Sequence, residues 1–189
     1  MLSEDKEQEI VSKAQQSPES FTILYDFYFP KIYNYVYHRV HNTQLTEDLV
    51  AETFYKALVN IDKFEWRERS FASWLYTIAR NLVVDAFRKT KPIFMDESWA
   101  EGIVSPEDGP EEKLVKDAVK NELLLTIRTL SQDQQDALLL RFQEGLKIKE
   151  IAKVMNKNEG AVKALLFRGL KSMRKKLEGE GYSDGYGKR

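Results

Sequence analysis

The stretch LKIKEIAKVMNKNEGAVKALLFRGLKSMRKKL, Leu146 to Leu177, decides the fold. Ile148, Ile151, Ala152 and Met155 recur at helical spacing and give a short helix one apolar stripe. Asn156-Lys157-Asn158 reads as a tight polar turn, and the Asn158 side chain can cap the helix that follows. Val162, Leu165, Leu166 and Leu170 offer that second helix a face to bury. Its other face is cationic: Lys163, Arg168, Lys171, Arg174, Lys175 and Lys176 stand against Glu159 alone. A short helix, a turn and a longer basic helix satisfy what reading a major groove requires. The groove admits one helix, its first turns meet base edges, and cations along it meet phosphates. The competing reading is a helical hairpin whose charges are merely solvated. Spacing, capping and clustered cations together favour DNA binding.

Upstream, Ser131 and Gln134 form a Ser-x-x-Gln capping box for a helix from Asp133 to Glu144, and Gly145 fits a left-handed C-terminal cap. Before it, Leu114, Val115, Ala118, Leu123, Leu124, Ile127 and Leu130 keep helical spacing. Periodicity fails between Lys91 and about Pro110. Pro92, Pro106 and Pro110, with Gly102 and Gly109, interrupt the chain there. From Pro92 to Asp117, eight acids face only Lys113 and Lys116, so the formal net charge of −1 averages an acidic linker with a basic helix.

The N-terminal half carries three further helical patterns. Ser17-Pro18 opens the first, with Phe21, Leu24, Tyr25, Tyr28, Ile32, Tyr35, Val36 and Arg39 in period. The second is expected to be capped by Thr46, with Leu49, Val50, Phe54, Ala57, Leu58 and Ile61 inward. The third runs from Phe71 to Lys89, with Leu75, Ile78, Ala79, Leu82 and Phe87 inward. The fold class is therefore all-α, two small helical domains joined by an acidic linker. The expected bounds are 5–91, 92–111 and 112–178, with a glycine- and tyrosine-rich tail, 179–189, that is expected to be disordered.

Several chemistries are set aside. The 189 residues include no cysteine, which removes disulfides and thiolate chemistry. No run of about 18 apolar residues occurs, and the acidic, polar N-terminus is unlike a signal peptide, so a cytoplasmic protein is expected. His38 and His41 share a helix face but have no third ligand in view, so they read as surface histidines rather than a metal site. Gly185 to Arg189 lacks the spacing of a phosphate loop. Scattered carboxylates such as Asp48, Glu52 and Asp85 could bind magnesium for a nuclease, but surface and docking roles explain them better. No nucleophile stands with a base, and neither an enzyme nor a cofactor is expected.

Between the second and third helices lies Asp62 to Ser70, continuing into Phe71-Ala72-Ser73-Trp74-Leu75-Tyr76. Aromatics there interleave with Lys63, Arg67, Arg69 and Arg80, a pattern suited to stacking bases and pairing phosphates of single-stranded nucleic acid. Phe71, Trp74 and Leu75 at helical spacing read as core. Phe64, Trp66 and Arg67 fit either core or base contact.

Glu47 to Leu58 (EDLVAETFYKAL) followed by Asp62 to Lys89 resembles domain 2 of the bacterial sigma factors. The helix-turn-helix, with LSQDQQDALLLRFQEGLKIKEIA at its start, resembles domain 4. Two domains separated only by an acidic linker resemble the small extracytoplasmic-function group, over about residues 5 to 178. The resemblance implies a non-enzymatic subunit that gives core RNA polymerase its promoter specificity. By matching position, Asp48, Leu49 and Glu52 would dock on the clamp coiled coil of the largest polymerase subunit. Phe64, Glu65, Trp66, Arg67 and Ser70 would pocket a flipped base of the −10 element, with Asn81, Asp85 and Arg88 facing the same strand. Arg141, Lys163, Ala164, Phe167, Arg168 and Lys171 would face the −35 duplex. The implied partners are core RNA polymerase, through its clamp and flap, promoter DNA and an anti-sigma factor. One departure bears on specificity: Ala164-Leu165 stands where the family's recognition helix usually has Ser-Arg. An autonomous helix-turn-helix regulator remains the alternative, although no obvious dimerisation helix is present.

Overall fold

A computed structural model describes residues 4–66, 70–89 and 122–179, and among them every regular element is helical. The expected linker 92–111, the residues 112–121, the tail after Gly179 and Arg67 lie outside the described residues.

The first unit has four helices: α1 (Glu4–Gln16), α2 (Phe21–Val40), α3 (Thr43–Val59) and α4 (Phe71–Lys89). Short 3-10 turns, Pro18–Ser20 and Ile61–Lys63, precede α2 and follow α3. Helix α2 buries Phe21, Leu24, Tyr28, Ile32, Tyr35, Val36 and Arg39, a helical spacing that keeps one stripe inward. Pro30 sits on the exposed face of α2, where the carbonyl it deprives of a partner can turn to water. Helix α3 starts earlier than expected. Asn42 caps it, its Oδ1 accepting from the Leu45 N–H at 2.8 Å. Thr46 is instead fully buried, and its hydroxyl donates to the Asn42 carbonyl at 2.7 Å. Leu58, expected inward, is exposed.

The core of this unit is aromatic. Phe64, Phe71 and Trp74 meet with ring centroids 5.1–5.6 Å apart, and Tyr28 and Trp66 join them at 5.5 and 5.6 Å. Tilted and edge-on arrangements of this kind add to the area they bury. Gln15 ties α1 to the joint by donating to the Ile61 and Phe64 carbonyls at 3.0 and 2.9 Å. Ser73, Trp74, Leu75 and Tyr76 are all buried in succession, which a helix covered on one face cannot achieve.

The second unit comprises α5 (122–128), α6 (Gln132–Leu138), α7 (Ile148–Met155) and α8 (Glu159–Gly179). The helix expected from Asp133 to Glu144 changes character: after Leu138 it widens into a π-helical stretch, Leu139–Gln143. The capping-box bond from the Ser131 N–H to Gln134 Oε1 is present at 3.1 Å, and Gly145 takes φ 73° as its position requires. Gly169 lets α8 lie close on α6. A Cβ there would stand 3.0 Å from Leu138 Cδ1, which is fully buried and has little room to yield. Leu123 and Leu170, both expected inward, are exposed.

Asn156 closes α7 in the left-handed conformation, φ 51°, and the Lys157 N–H reaches back to the Ala152 carbonyl at 2.9 Å. Asn158 then starts α8, its Oδ1 accepting from the Ala161 N–H at 2.7 Å. Asn158→Ala should therefore cost about 1 kcal/mol, read as a lower urea midpoint at unchanged slope.

Candidate nucleic-acid interface

Helix α8 buries Val162, Leu165, Leu166 and Met173 against α6 and α7, which fixes its opposite face outward. On that face Lys163, Ala164, Phe167, Arg168 and Lys171 are all exposed. Phe167 is 69% exposed, an aromatic ring among cations with no internal packing to explain it. The arrangement can pair phosphates through the cations and meet a base edge or thymine methyl through the apolar side chains. Arg141 lies apart from this helix, exposed, with one guanidinium nitrogen donating to the Leu146 carbonyl at 3.0 Å.

The other expected DNA residues divide. Asn81 and Arg88 are exposed on α4, and Arg88 pairs with Asp85 one turn away. Glu65 is exposed and Trp66 half-buried. Phe64 is corrected: at 4% exposure its ring belongs to the core cluster and cannot stack on a base in this arrangement. Ser70 is half-buried, donating to Glu150 of α7 at 2.6 Å. On α3, Asp48 and Glu52 are exposed, with Leu49 half-buried beside them and Glu52 within 3.2 Å of Lys56.

Sequence reasoning missed exposed and half-buried aromatics on the first unit. Tyr55, 63% exposed, stands one turn beyond Glu52. Tyr25, Phe29, Tyr33 and Tyr37 form a ladder of rings along α2 at 5.2–6.2 Å. Their four-residue spacing was the available signal.

It also missed the interface between the two units. Asp136 of α6 is fully buried and accepts from Tyr35 Oη at 2.9 Å, Arg39 Nε at 2.5 Å and Arg80 Nε at 2.8 Å. Arg39 also donates to Gln135 at 2.7 Å, and Arg80 pairs with Asp133 at 3.0 Å. Two guanidiniums and a phenol thus satisfy one carboxylate, the condition under which buried charge is tolerated. Burial, with the Asp136 charge alongside, holds the Tyr35 phenol well above its usual range.

Nearby, Tyr76 donates to Glu144. Burial pushes the Glu144 carboxyl up to about 7, despite opposing help from the Tyr76 hydrogen bond and Lys31. The folded chain therefore binds more protons than the unfolded chain between about pH 4.5 and about 7. Stability through this group is fully present below the lower value and lost as pH rises through the upper one. Urea midpoints across that range should show this fall in the wild type, and Glu144→Gln should flatten it.

The histidines are also corrected. His38 and His41 are half-buried rather than on the surface. Burial, then the Arg128 charge, pushes His41 down to about 3, so it stays neutral at ordinary pH. Among the described residues no group of three or more His, Cys, Asp or Glu could hold a metal ion, and no helix is long and apolar enough to cross a membrane.

Comparison with known proteins gives this geometry a family. The Sigma-70 region 2 family model matches residues 24–93, and the Sigma-70, region 4 model matches residues 120–173. The chain is 38% identical to the ECF RNA polymerase sigma factor BldN of Streptomyces coelicolor, over 89% of this chain and 65% of BldN. It is 32% identical to the ECF RNA polymerase sigma factor SigW of Bacillus subtilis, over 88% of this chain and 92% of SigW. In fold it is similar to CnrH, solved in complex with the cytosolic domain of CnrY, with TM-score 0.69 and 18% identity over 93% of this chain and 99% of that one. It is also similar in fold to the sigma factor RpoE from Bartonella quintana, solved with the anti-sigma factor NepR, with TM-score 0.67 and 21% identity over 85% and 98% of the two chains. The region 2 match spans α2 to α4 and the region 4 match spans the helix-turn-helix, so the chain belongs to the ECF RNA polymerase sigma factors.

Proposed function

We propose that this sigma factor divides promoter reading between its two units. Helix α8 reads the −35 duplex in the major groove, through Lys163, Ala164, Phe167, Arg168 and Lys171, with Arg141 contacting the same duplex. The outer side of α4, with Asn81, Asp85 and Arg88, faces the melted −10 strand, and the joint of Glu65, Trp66, Arg67 and Ser70 receives a flipped base. The carboxylates Asp48 and Glu52, flanking Leu49, dock on the clamp of core polymerase, with Tyr55 beside them. Binding energy opens the duplex, and no covalent step is involved. The expected bounds 5–91 and 112–178 are the units that carry these roles, and the anti-sigma type of partner seen with a relative fits a surface of this kind.

The observation that carries the reading is the face of α8: an exposed aromatic and four exposed basic or small side chains on a helix whose start is fixed by Asn158. Asp48→Lys with Glu52→Lys tests the polymerase interaction. The pair should abolish co-sedimentation with core polymerase while leaving duplex −35 binding by the isolated chain unchanged. Retained co-sedimentation would remove the α3 assignment. The alternative of an autonomous regulator predicts a dimer that binds duplex DNA tightly without polymerase.

A further inference from the structure

From Glu159 to Lys171, α8 contains no serine, threonine, asparagine or glutamine. A neutral amide is the group that grips adenine through N6 and N7 in the major groove, so adenine has no such reader here. Beyond Glu159 in the first turn, the outward side chains are the cations Lys163, Arg168 and Lys171 and the apolar Ala164, Phe167 and Leu170. The cations suit phosphate oxygens and guanine, which leaves A·T pairs to the apolar residues. The group such residues can recognise in the groove is the C5-methyl of thymine. Ala164 and Phe167 stand three positions apart and are neighbours on one helix face. Val162, Leu165, Leu166 and Met173 take the buried face, which leaves the Phe167 ring 69% exposed. Ala164 is small enough to let a base edge approach, with the ring as a wall beside it. An apolar protein surface laid on Phe167 would desolvate three cations, whereas a major groove brings phosphates to them and a methyl to the ring.

We propose that Ala164 and Phe167 form a reader of the pyrimidine C5-methyl group, so that this chain accepts 5-methylcytosine in place of thymine within the −35 duplex. This deepens the assignment of α8 to that duplex and rests on it. 5-Methylcytosine carries its methyl at the same ring position as thymine and differs at C4, where an amino group replaces the oxygen. Neither Ala164 nor Phe167 has a polar side-chain atom with which to tell the two apart. Unmethylated cytosine offers no methyl and is discriminated against. Methylation of a cytosine at such a position therefore raises occupancy of the promoter by this chain.

The test uses the full chain, assembled with core polymerase, on a promoter duplex that it transcribes. Each −35 thymine is replaced in turn by deoxyuridine, cytosine or 5-methylcytosine, each paired with its complement. Deoxyuridine removes the methyl alone, and at the position under Phe167 affinity should fall about fourfold, the worth of one buried carbon group. Cytosine there should cost at least as much, and 5-methylcytosine should recover the loss. Phe167→Ala should bind the thymine and deoxyuridine duplexes alike, with its urea midpoint unchanged because the ring lies outside the core. Arg168→Ala should weaken binding to every duplex and keep the difference between them. Equal affinity for thymine and deoxyuridine at every −35 position overturns the reader, as does 5-methylcytosine bound no better than cytosine. A difference that survives Phe167→Ala overturns it too, since duplex shape would then be its source. The two readings fail separately. Affinity that falls when the −35 element is scrambled, without a methyl effect, removes the methyl reader alone, whereas indifference to scrambling removes the assignment of α8 as well.

Discussion

Arg168→Ala combined with Lys171→Ala is expected to weaken −35 duplex binding by roughly 10- to 1,000-fold and to flatten its salt dependence. Both side chains lie on the outward face of α8, so neither substitution disturbs the core. The Arg168 Nε bond to the Ala164 carbonyl, at 3.3 Å, is local and exposed and adds little to folding. The effect should thus appear in binding and not in the unfolding midpoint. Each phosphate deprived of its cation should reduce the slope of log affinity against log salt by about 0.9. A drop of about 1.8 identifies both residues as phosphate partners. A weakening confined to particular base pairs would make Arg168 a base reader instead. Phe167→Ala separates the third kind of interaction. It should weaken binding to sites bearing a thymine methyl under the ring and leave the salt slope unchanged.

The second large effect concerns folding. Phe71→Ala should destabilise the chain by about 3–5 kcal/mol. Phe71 is fully buried, with the rings of Tyr28, Phe64 and Trp74 centred 5.5–5.6 Å away. Little in that neighbourhood can collapse into the void, because Phe64 is held through its carbonyl by Gln15 and Trp74 by its own helix. The measurement is a urea titration followed by tryptophan fluorescence, which reports this cluster directly. An effect below about 1 kcal/mol would mean that the aromatic cluster is loosely packed.

The helix-turn-helix was legible in the sequence because each of its signals is local. Ile148 to Met155 has the right period, Asn158 is the right cap, and Gly145 is the residue that tolerates a positive φ. The observed bounds of α4 and α7 match the expected ones for the same reason. Where expectation failed, a distant partner had overridden the local pattern. Thr46 resembles a cap, but Asn42 lies nearer the true start and leaves Thr46 free to enter the core. Leu58, Leu123 and Leu170 are exposed although Ala57, Leu124 and Met173 beside or beyond them are buried, so each stands at the edge of the covered stripe and not within it. Phe64 sits in a non-periodic stretch, so nothing local could show that its ring turns inward onto Phe71 and Trp74.

The interface between the units was the least legible feature. Asp136 lies 97 residues from Arg39, and no period or motif links them. The signal was a charged residue inside an apolar stripe: Arg39 follows Tyr35 and Val36 at the spacing of buried positions. A guanidinium there requires a buried anion, and Asp136, between Gln135 and Ala137, supplies it. The run Ser73 to Tyr76, buried on all sides, records the same interface from α4.

Promoter reading by α8 and α4 is tested by multi-template run-off transcription with purified core polymerase. Discrete transcripts that appear only with this protein, and disappear on Arg168→Ala or Asn81→Ala, are the expected result. No transcript from a genomic promoter library, together with no binding to core polymerase, would contradict it.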